Sequence, residues 1–258
     1  MNPNNAGRRN FFRRSIGLAV AVVAGGCDRL NATQWFPKLL TAGEHVSESV
    51  HKALIPRRAM AQEFTSADLS PHFRSNGTSD PDSAIYQALA KNSFTDWALT
   101  VDGLVATPMQ FSLAQLRALP SRTQITRHDC VEGWSAIGKW TGVPLSEILH
   151  AVRPTVKAKY VVFHCADPMN SDGSGLYYES IDMDDAYHAQ TILSYDLNDA
   201  ALPIANGAPL RLRVERQLGY KQAKYLMRLE LVSSLKGIHG GKGGYWEDSN
   251  GYQWYAGI

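Results

Sequence analysis

Short runs of alternating apolar and polar residues recur from Trp97 to Ser234, and this pattern limits what the chain can fold into. "WALTVDGLV" (97–105) alternates and then reaches Asp102-Gly103, a hairpin signal. "TQITRHDC" (123–130), "YVVFHCA" (160–166), "LRLRVER" (210–216) and "YLMRLELVSS" (225–234) read as further strands. Between them lie short helical patterns at "PLSEILHAV" and "DMDDAYHAQTIL". "FSLAQLRALP" adds a helix with Ser112 and Gln115 at capping-box spacing and a stop at Pro120. Short strands mixed with short helices, without an internal repeat, predict an α+β domain with a mixed sheet from about Asn76 to Trp254. With 44% apolar residues in 258, the chain has enough material for a full core.

The front of the chain obeys a different rule. "GRRNFFRRS" is followed by "IGLAVAVVAGGC", a basic head before an apolar run shorter than the ~20 residues of a spanning helix. The pair Arg8-Arg9 before Asn10-Phe11-Phe12 resembles a twin-arginine export signal, so residues 1–27 are expected to direct the protein to the periplasm or beyond. "AGGC" leaves lipidation of Cys27 and an uncleaved N-terminal anchor as alternatives. Residues 28–75 read as a linker or surface wrap, with a helix near Gly43 to Leu54 and turns at Pro37, Pro56 and Pro71. The formal charge is +2 with no basic run in the domain, which argues against nucleic acid as a partner.

Beyond Cys27 the chain keeps two cysteines, Cys130 and Cys165. In an exported protein they could pair as a disulfide. Cys130 could also be a nucleophile helped by His128 or His164. A third reading makes it a metal ligand. "HDC" and "HCAD" lack standard zinc spacing, so one thiolate on a metal otherwise held by a cofactor suits this set better than a protein cage. Residues and spacing leave these alternatives open.

"CVEGWSAIGKWTGVPLSEIL", Cys130 to Leu149, resembles the segment that carries the metal-binding cysteine in the sulfite oxidase fold family of molybdopterin-dependent oxidoreductases. Within that family it is most similar to the bacterial methionine-sulfoxide-reductase catalytic subunits and their exported relatives. "NGAPLRLRVERQLGYKQAKYL" resembles the second signature, in which an asparagine, an arginine and a Gly-aromatic-Lys turn hold the pterin. The resemblance implies molybdenum-molybdopterin as cofactor, Cys130 as the catalytic thiolate on molybdenum, and Asn206, Arg211, Gly219, Tyr220 and Lys221 around the pterin. Arginine, lysine and glycine are what a pyrophosphate needs: positive charge, donors and close backbone approach. "FRSNGTSDP" adds Asn76, although Ser79 and Asp80 stand where the family's reductases have Tyr-Glu. Cys165 falls at the position of a cofactor-contacting threonine. The resemblance leaves no chain for the immunoglobulin-like dimerisation domain of true sulfite oxidases.

The residues after Cys130 also bear on the reaction. Sulfite oxidases place an arginine pair there, and this chain has "VEGWSAIGKW". The resemblance therefore implies a reductase acting on a small neutral S-oxide or N-oxide, with sulfite oxidation and a cofactor-free binding module as alternatives. The sequence has no C-x-x-C-H haem site, four-cysteine cluster or dinucleotide fingerprint, so a separate haem-containing partner, membrane-bound or soluble, is expected to pass the electrons. The tail "HGGKGGYWEDSNGYQWYAGI" lacks phosphate-loop spacing and reads as an aromatic closing segment or a docking surface anchored by Tyr252, Trp254 and Tyr255.

Overall fold

The computed structural model describes residues 32–54, 56 and 58–258, so the expected leader, with Arg8, Arg9 and Cys27, lies outside the described residues. The chain divides into two units, Met1–Pro56 and Arg57–Ile258. In the first, α1 spans Phe36–Leu54, longer than the helix expected from Gly43. Thr33 Oγ1 accepts from the Phe36 N–H at 3.3 Å, and Pro37 occupies the first turn. A proline there starts a helix, because its missing N–H would have no intrahelical partner. Among the described residues no helix is long and apolar enough to cross a membrane.

The second unit is built on two sheets. The first is mixed, with strand order β2-β1-β10-β5-β6: β2 is Met109–Ser112, β1 Ala98–Gly103, β10 Leu226–Val232, β5 Tyr160–Pro168 and β6 Leu176–Asp182. Its β1 and β10 run parallel, and the other neighbours are antiparallel. The second sheet, which nothing in the sequence pattern separates from the first, runs β3 (Arg122–Cys130), β4 (Trp134–Pro144), β7 (Ile192–Leu197) and β8 (Ala200–Ala201). Short β9 (Arg211–Arg213) also pairs with β7. The α+β class and the mixed sheet are as expected.

The main core joins Leu99 and Val101 of β1, Val161 and Phe163 of β5, Leu229 and Leu231 of β10, Leu193 of β7 and Leu212 of β9. Against it packs α4 (Leu145–Val152), whose Leu145, Ile148, Leu149 and Val152 lie on one helical face and are all buried. A second cluster, formed by Phe73, Ala136, Trp140, Ile192, Leu197 and Leu202, means that β4 and β7 serve two cores. Burial along β4 does alternate, with Ala136, Gly138, Trp140 and Gly142 inward, but two of these are glycines, so the apolar pattern does not show in the sequence. The other helices of this unit are short, beginning with α2 (Ala84–Lys91). Ser112 caps α3 (Leu113–Ala118) with the reciprocal capping box: its Oγ accepts from Gln115 N at 3.2 Å, and its own N–H donates to Gln115 Oε1 at 2.8 Å. Asp182 Oδ1 accepts from Asp185 N at 2.9 Å and starts α5, only Met183–Ala186, before the chain turns into β7.

Gly103 serves two purposes. The last β1–β2 pair is Val101 with Met109, so Asp102-Gly103 opens the connection as expected, and at φ +82° Gly103 also pairs with β10, where a Cβ would run into the Leu231 backbone.

Candidate active site

A three-residue hairpin positions Cys130. β3 and β4 stay paired up to Cys130 opposite Trp134, so Val131, Glu132 and Gly133 form the loop. Gly133 sits at φ +84°, and its N–H donates to the Cys130 carbonyl at 3.1 Å. A left-handed third residue is what this loop length requires, and glycine supplies it without a Cβ clash. Cys130 is therefore held at a strand tip, half-buried and free. Burial pushes its thiol up from the ordinary value, opposed by the Glu132 backbone hydrogen bond. Left alone it keeps its proton at neutral pH; a bound cation is what makes such a sulfur a thiolate donor.

The tip opens on a cavity of about 210 Å³. Asn76, Thr78, Glu132, Asp167, Gln222 and Lys224 give it polar lining, while Met169, Tyr177, Tyr220, Trp246 and Tyr252 give it apolar and aromatic lining. Gly219 also lines it and lies so close to β3 that a Cβ would meet His128 Nε2 at 2.5 Å. The 3-10 turn Gly219–Lys221 can approach the cavity only because that position has no side chain.

Several buried polar atoms in and behind this lining lack a partner: Asn76 Oδ1, Asp167 Oδ1, His128 Nε2, Asn206 Nδ2 and Arg211 Nε. Arg211 is fully buried and donates through Nη1 to the Asn206 carbonyl at 2.9 Å and through Nη2 to the Gln222 carbonyl at 3.3 Å. Burial, then the neighbouring Arg213, pushes its pKa down to about 9. His128 is sealed within β3, with Nδ1 3.0 Å from Arg213 Nη1, and burial holds it neutral. Its Nδ1 faces Arg213 and Gln222 and its Nε2 has no hydrogen-bond partner, so it makes no hydrogen bond to Cys130.

The structure divides the residues expected here. Asn76, Cys130, Gly219 and Tyr220 line the cavity, whereas Asn206 and Arg211 are buried beside Gln222, which does. Lys221 does not reach it: its Nζ is fully buried between Glu179 and Glu247, 2.8 Å from Glu247 Oε1. Cys165 is not brought to the cavity wall either; its side chain lies in the main core, and burial raises its thiol well above the ordinary value. Both cysteines are free, so the disulfide alternative is not realised. Among the described residues no three His, Cys, Asp or Glu side chains gather as a protein metal cage.

Five polar residues of the lining, Thr78, Glu132, Asp167, Gln222 and Lys224, are not among those the sequence pointed to. Lys224, not Lys221, is the cavity's cation: Nζ donates to the carbonyls of Asn76 at 2.6 Å, Ala205 at 3.1 Å and Thr78. Burial, then Arg211, pushes its pKa down to about 7. Gln222 stands between the two lysines. Asp167 follows Cys165 by two residues, and burial pushes its carboxyl up to about 6. The only available signal was position, since "YKQAK" extends the recognised turn and "CAD" the recognised strand.

Residues 86–237 match the family described as the oxidoreductase molybdopterin binding domain. The chain is 36% identical over 97% of its length, and 87% of the relative's, to a protein of Azospira oryzae named "Putative protein-methionine-sulfoxide reductase subunit". It is 40% and 38% identical to the protein-methionine-sulfoxide reductase catalytic subunits of Xanthomonas axonopodis and Xanthomonas campestris, over 54% of this chain and 46% of each relative. The chain thus matches less than half the length of those two subunits. The solved structure of the sulfane dehydrogenase SoxCD from Paracoccus pantotrophus aligns with 54% of the chain and 39% of its own at 22% identity and a TM-score of 0.48.

Proposed function

This chain belongs to the oxidoreductase molybdopterin binding domain family, and from that premise we propose that it reduces a neutral S-oxide at the Cys130 cavity with electrons from a separate haem-carrying partner. The family sets the class, a molybdopterin-dependent oxidoreductase, and the cofactor, molybdenum-molybdopterin.

The residues present fit that cofactor. A soft sulfur at a strand tip, the close approach allowed at Gly219, and the unpartnered atoms of Asn76, Asn206 and Arg211 form a donor set suited to a large anionic organic group with one metal. In this reading Cys130 gives the sole protein thiolate. Asn76, Gln222 and Lys224 hold the group at the cavity lining, Gly219 and Tyr220 approach it through the turn, and Asn206 and Arg211 support it from behind. The observation that carries the proposal is the free Cys130 thiol opening on this cavity with no second protein ligand cluster among the described residues.

When bound, molybdenum-molybdopterin supplies two-electron exchange coupled to oxygen-atom transfer. The chain contributes binding, access and protons. Removing an oxygen as water consumes two protons, and Asp167, with an unpartnered Oδ1 in the lining and a pKa of about 6, is suited to hold one. Lys224 is the one cation among the lining residues, its Nζ is engaged by backbone carbonyls, and Glu132 and Asp167 share the cavity. That balance suits a neutral oxide better than the sulfite dianion. Reduction of sulfoxides by purified holoenzyme with an artificial donor, and its loss in Cys130→Ser, is the expected result; turnover of sulfite alone, or near-normal activity in Cys130→Ser, contradicts it.

Export and the partner complete the proposal. Arg8 and Arg9 carry the expected signal, so Arg8→Lys/Arg9→Lys should retain the protein in the cytoplasm on fractionation. Full turnover with a nicotinamide donor and the purified chain alone would remove the need for a haem partner.

A further inference from the structure

We propose that Trp246 and Tyr252, backed by Tyr220, form the surface that selects this enzyme's substrate, and that they fit a sulfoxide whose sulfur carries apolar alkyl or aryl groups. The inference rests on the sulfoxide reading above and names the part of the substrate that the chain itself recognises. All three rings line the same cavity as Cys130. They are contiguous: Trp246 and Tyr252 stack with centroids 5.9 Å apart, and Tyr252 meets Tyr220 edge-on at 5.1 Å. Trp246 is half-buried and Tyr252 is 38% exposed, so their remaining free faces are available to a ligand.

The surface is held in place from behind. Trp246 and Glu247 are adjacent on α6 (Tyr245–Asn250); the first lines the cavity, and the second is buried against Lys221. The Tyr252 N–H donates to the Trp246 carbonyl at 3.2 Å, Tyr220 Oη donates to the Gln253 carbonyl at 2.6 Å, and Tyr177 Oη donates to the Tyr220 carbonyl at 2.5 Å. Rings fixed in this way bind without a large ordering cost.

Chemistry selects the ligand. Aromatic faces are electron-rich, so they repel an oxyanion and attract a sulfoxide sulfur, which carries partial positive charge, together with its apolar substituents. A charged small oxide gains nothing from this surface.

The test uses purified holoenzyme and the variants Trp246→Ala, Trp246→Phe and Tyr252→Ala. Each alanine variant should raise KM for methyl p-tolyl sulfoxide about tenfold, the scale of one lost sulfur–aromatic or aryl contact, and raise it less for dimethyl sulfoxide. Turnover at saturation and molybdenum content should stay at wild-type levels, and Trp246→Phe should restore most of the affinity. Calorimetric Kd values for the product, methyl p-tolyl sulfide, should weaken by the same factor. Unchanged KM and Kd, equal losses on both sulfoxides, or loss of molybdenum in the alanine variants would overturn the inference, the last by giving the rings to the cofactor. Should wild-type enzyme reduce no sulfoxide, the functional reading fails; sulfide binding still reports on the aromatic surface.

Discussion

Lys221 and Lys224 stand three residues apart in one stretch of chain and serve two unlike regions. Around Lys221 everything is closed: Glu179 of β6 and Glu247 of α6 pair with it, all three side chains are inaccessible, and Trp254 lies 5.3 Å away at its ring centroid. Around Lys224 the partners are neutral oxygens, backbone carbonyls and Ser75 Oγ at 3.5 Å, the neighbouring carboxyls are Asp167 and Glu132, and the space beside it is the cavity. A buried cation with dedicated carboxylates builds structure. One that holds only neutral oxygens, with its pKa driven down to about 7, is only partly charged when alone, and a bound anion would favour its charged form.

The largest effect separating the two regions is expected from Lys221→Met. It leaves two buried carboxyls without their cation, which costs about 3–5 kcal/mol, read as a lowered midpoint in urea unfolding. The cavity side should instead announce itself through pH. Burial raises Asp167 from 3.8 to about 6, so its contribution to stability is complete below pH 3.8 and is lost as pH rises through about 6, a change of about 3 kcal/mol. Unfolding of the metal-free chain across pH 3–8 should show that fall, and Asp167→Asn should flatten it. Lys224→Met should cost less than Lys221→Met, about 1–3 kcal/mol for the carbonyls left unsatisfied, while sharply lowering molybdenum content in elemental analysis. If Lys221→Met were the variant that lost metal with little loss of stability, the two roles would be reversed. The smallest effect belongs to an ion pair outside both regions. Arg117 and Asp196 meet at 2.6 Å with their side chains 38% and 22% exposed, and Arg117→Ala should cost less than about 1 kcal/mol, with metal content unchanged.

The same contrast explains what the sequence could reveal. Local rules were readable because they act over three or four residues: the Ser112–Gln115 capping box and the alternation in β1 and β10 are in the structure as expected. β4 was hidden because its buried face carries glycines at 138 and 142, where Leu197, Phe73 and the Leu193 backbone leave no room for an apolar side chain. The candidate thiolate was legible from its motif, and the Gly133 hairpin then accounts for its place at a tip. The choice between Lys221 and Lys224 was not legible, since the 3-10 turn ends at Lys221 and no helical period carries on to Lys224. Cys165 and Asp167 lie two apart on β5, yet one is buried in the core and the other lines the cavity. The tail's aromatics announced packing, but only the folded chain shows Trp246 and Tyr252 beside Cys130's cavity.

The most direct test is molybdenum-edge X-ray absorption of purified holoenzyme beside Cys130→Ser and Cys165→Ser. Cys130→Ser should lose one sulfur from the metal's nearest shell, and Cys165→Ser should retain the wild-type shell. An unchanged sulfur shell in metal-loaded Cys130→Ser, or a sulfur lost in Cys165→Ser, would contradict the assignment of Cys130 as the sole protein thiolate.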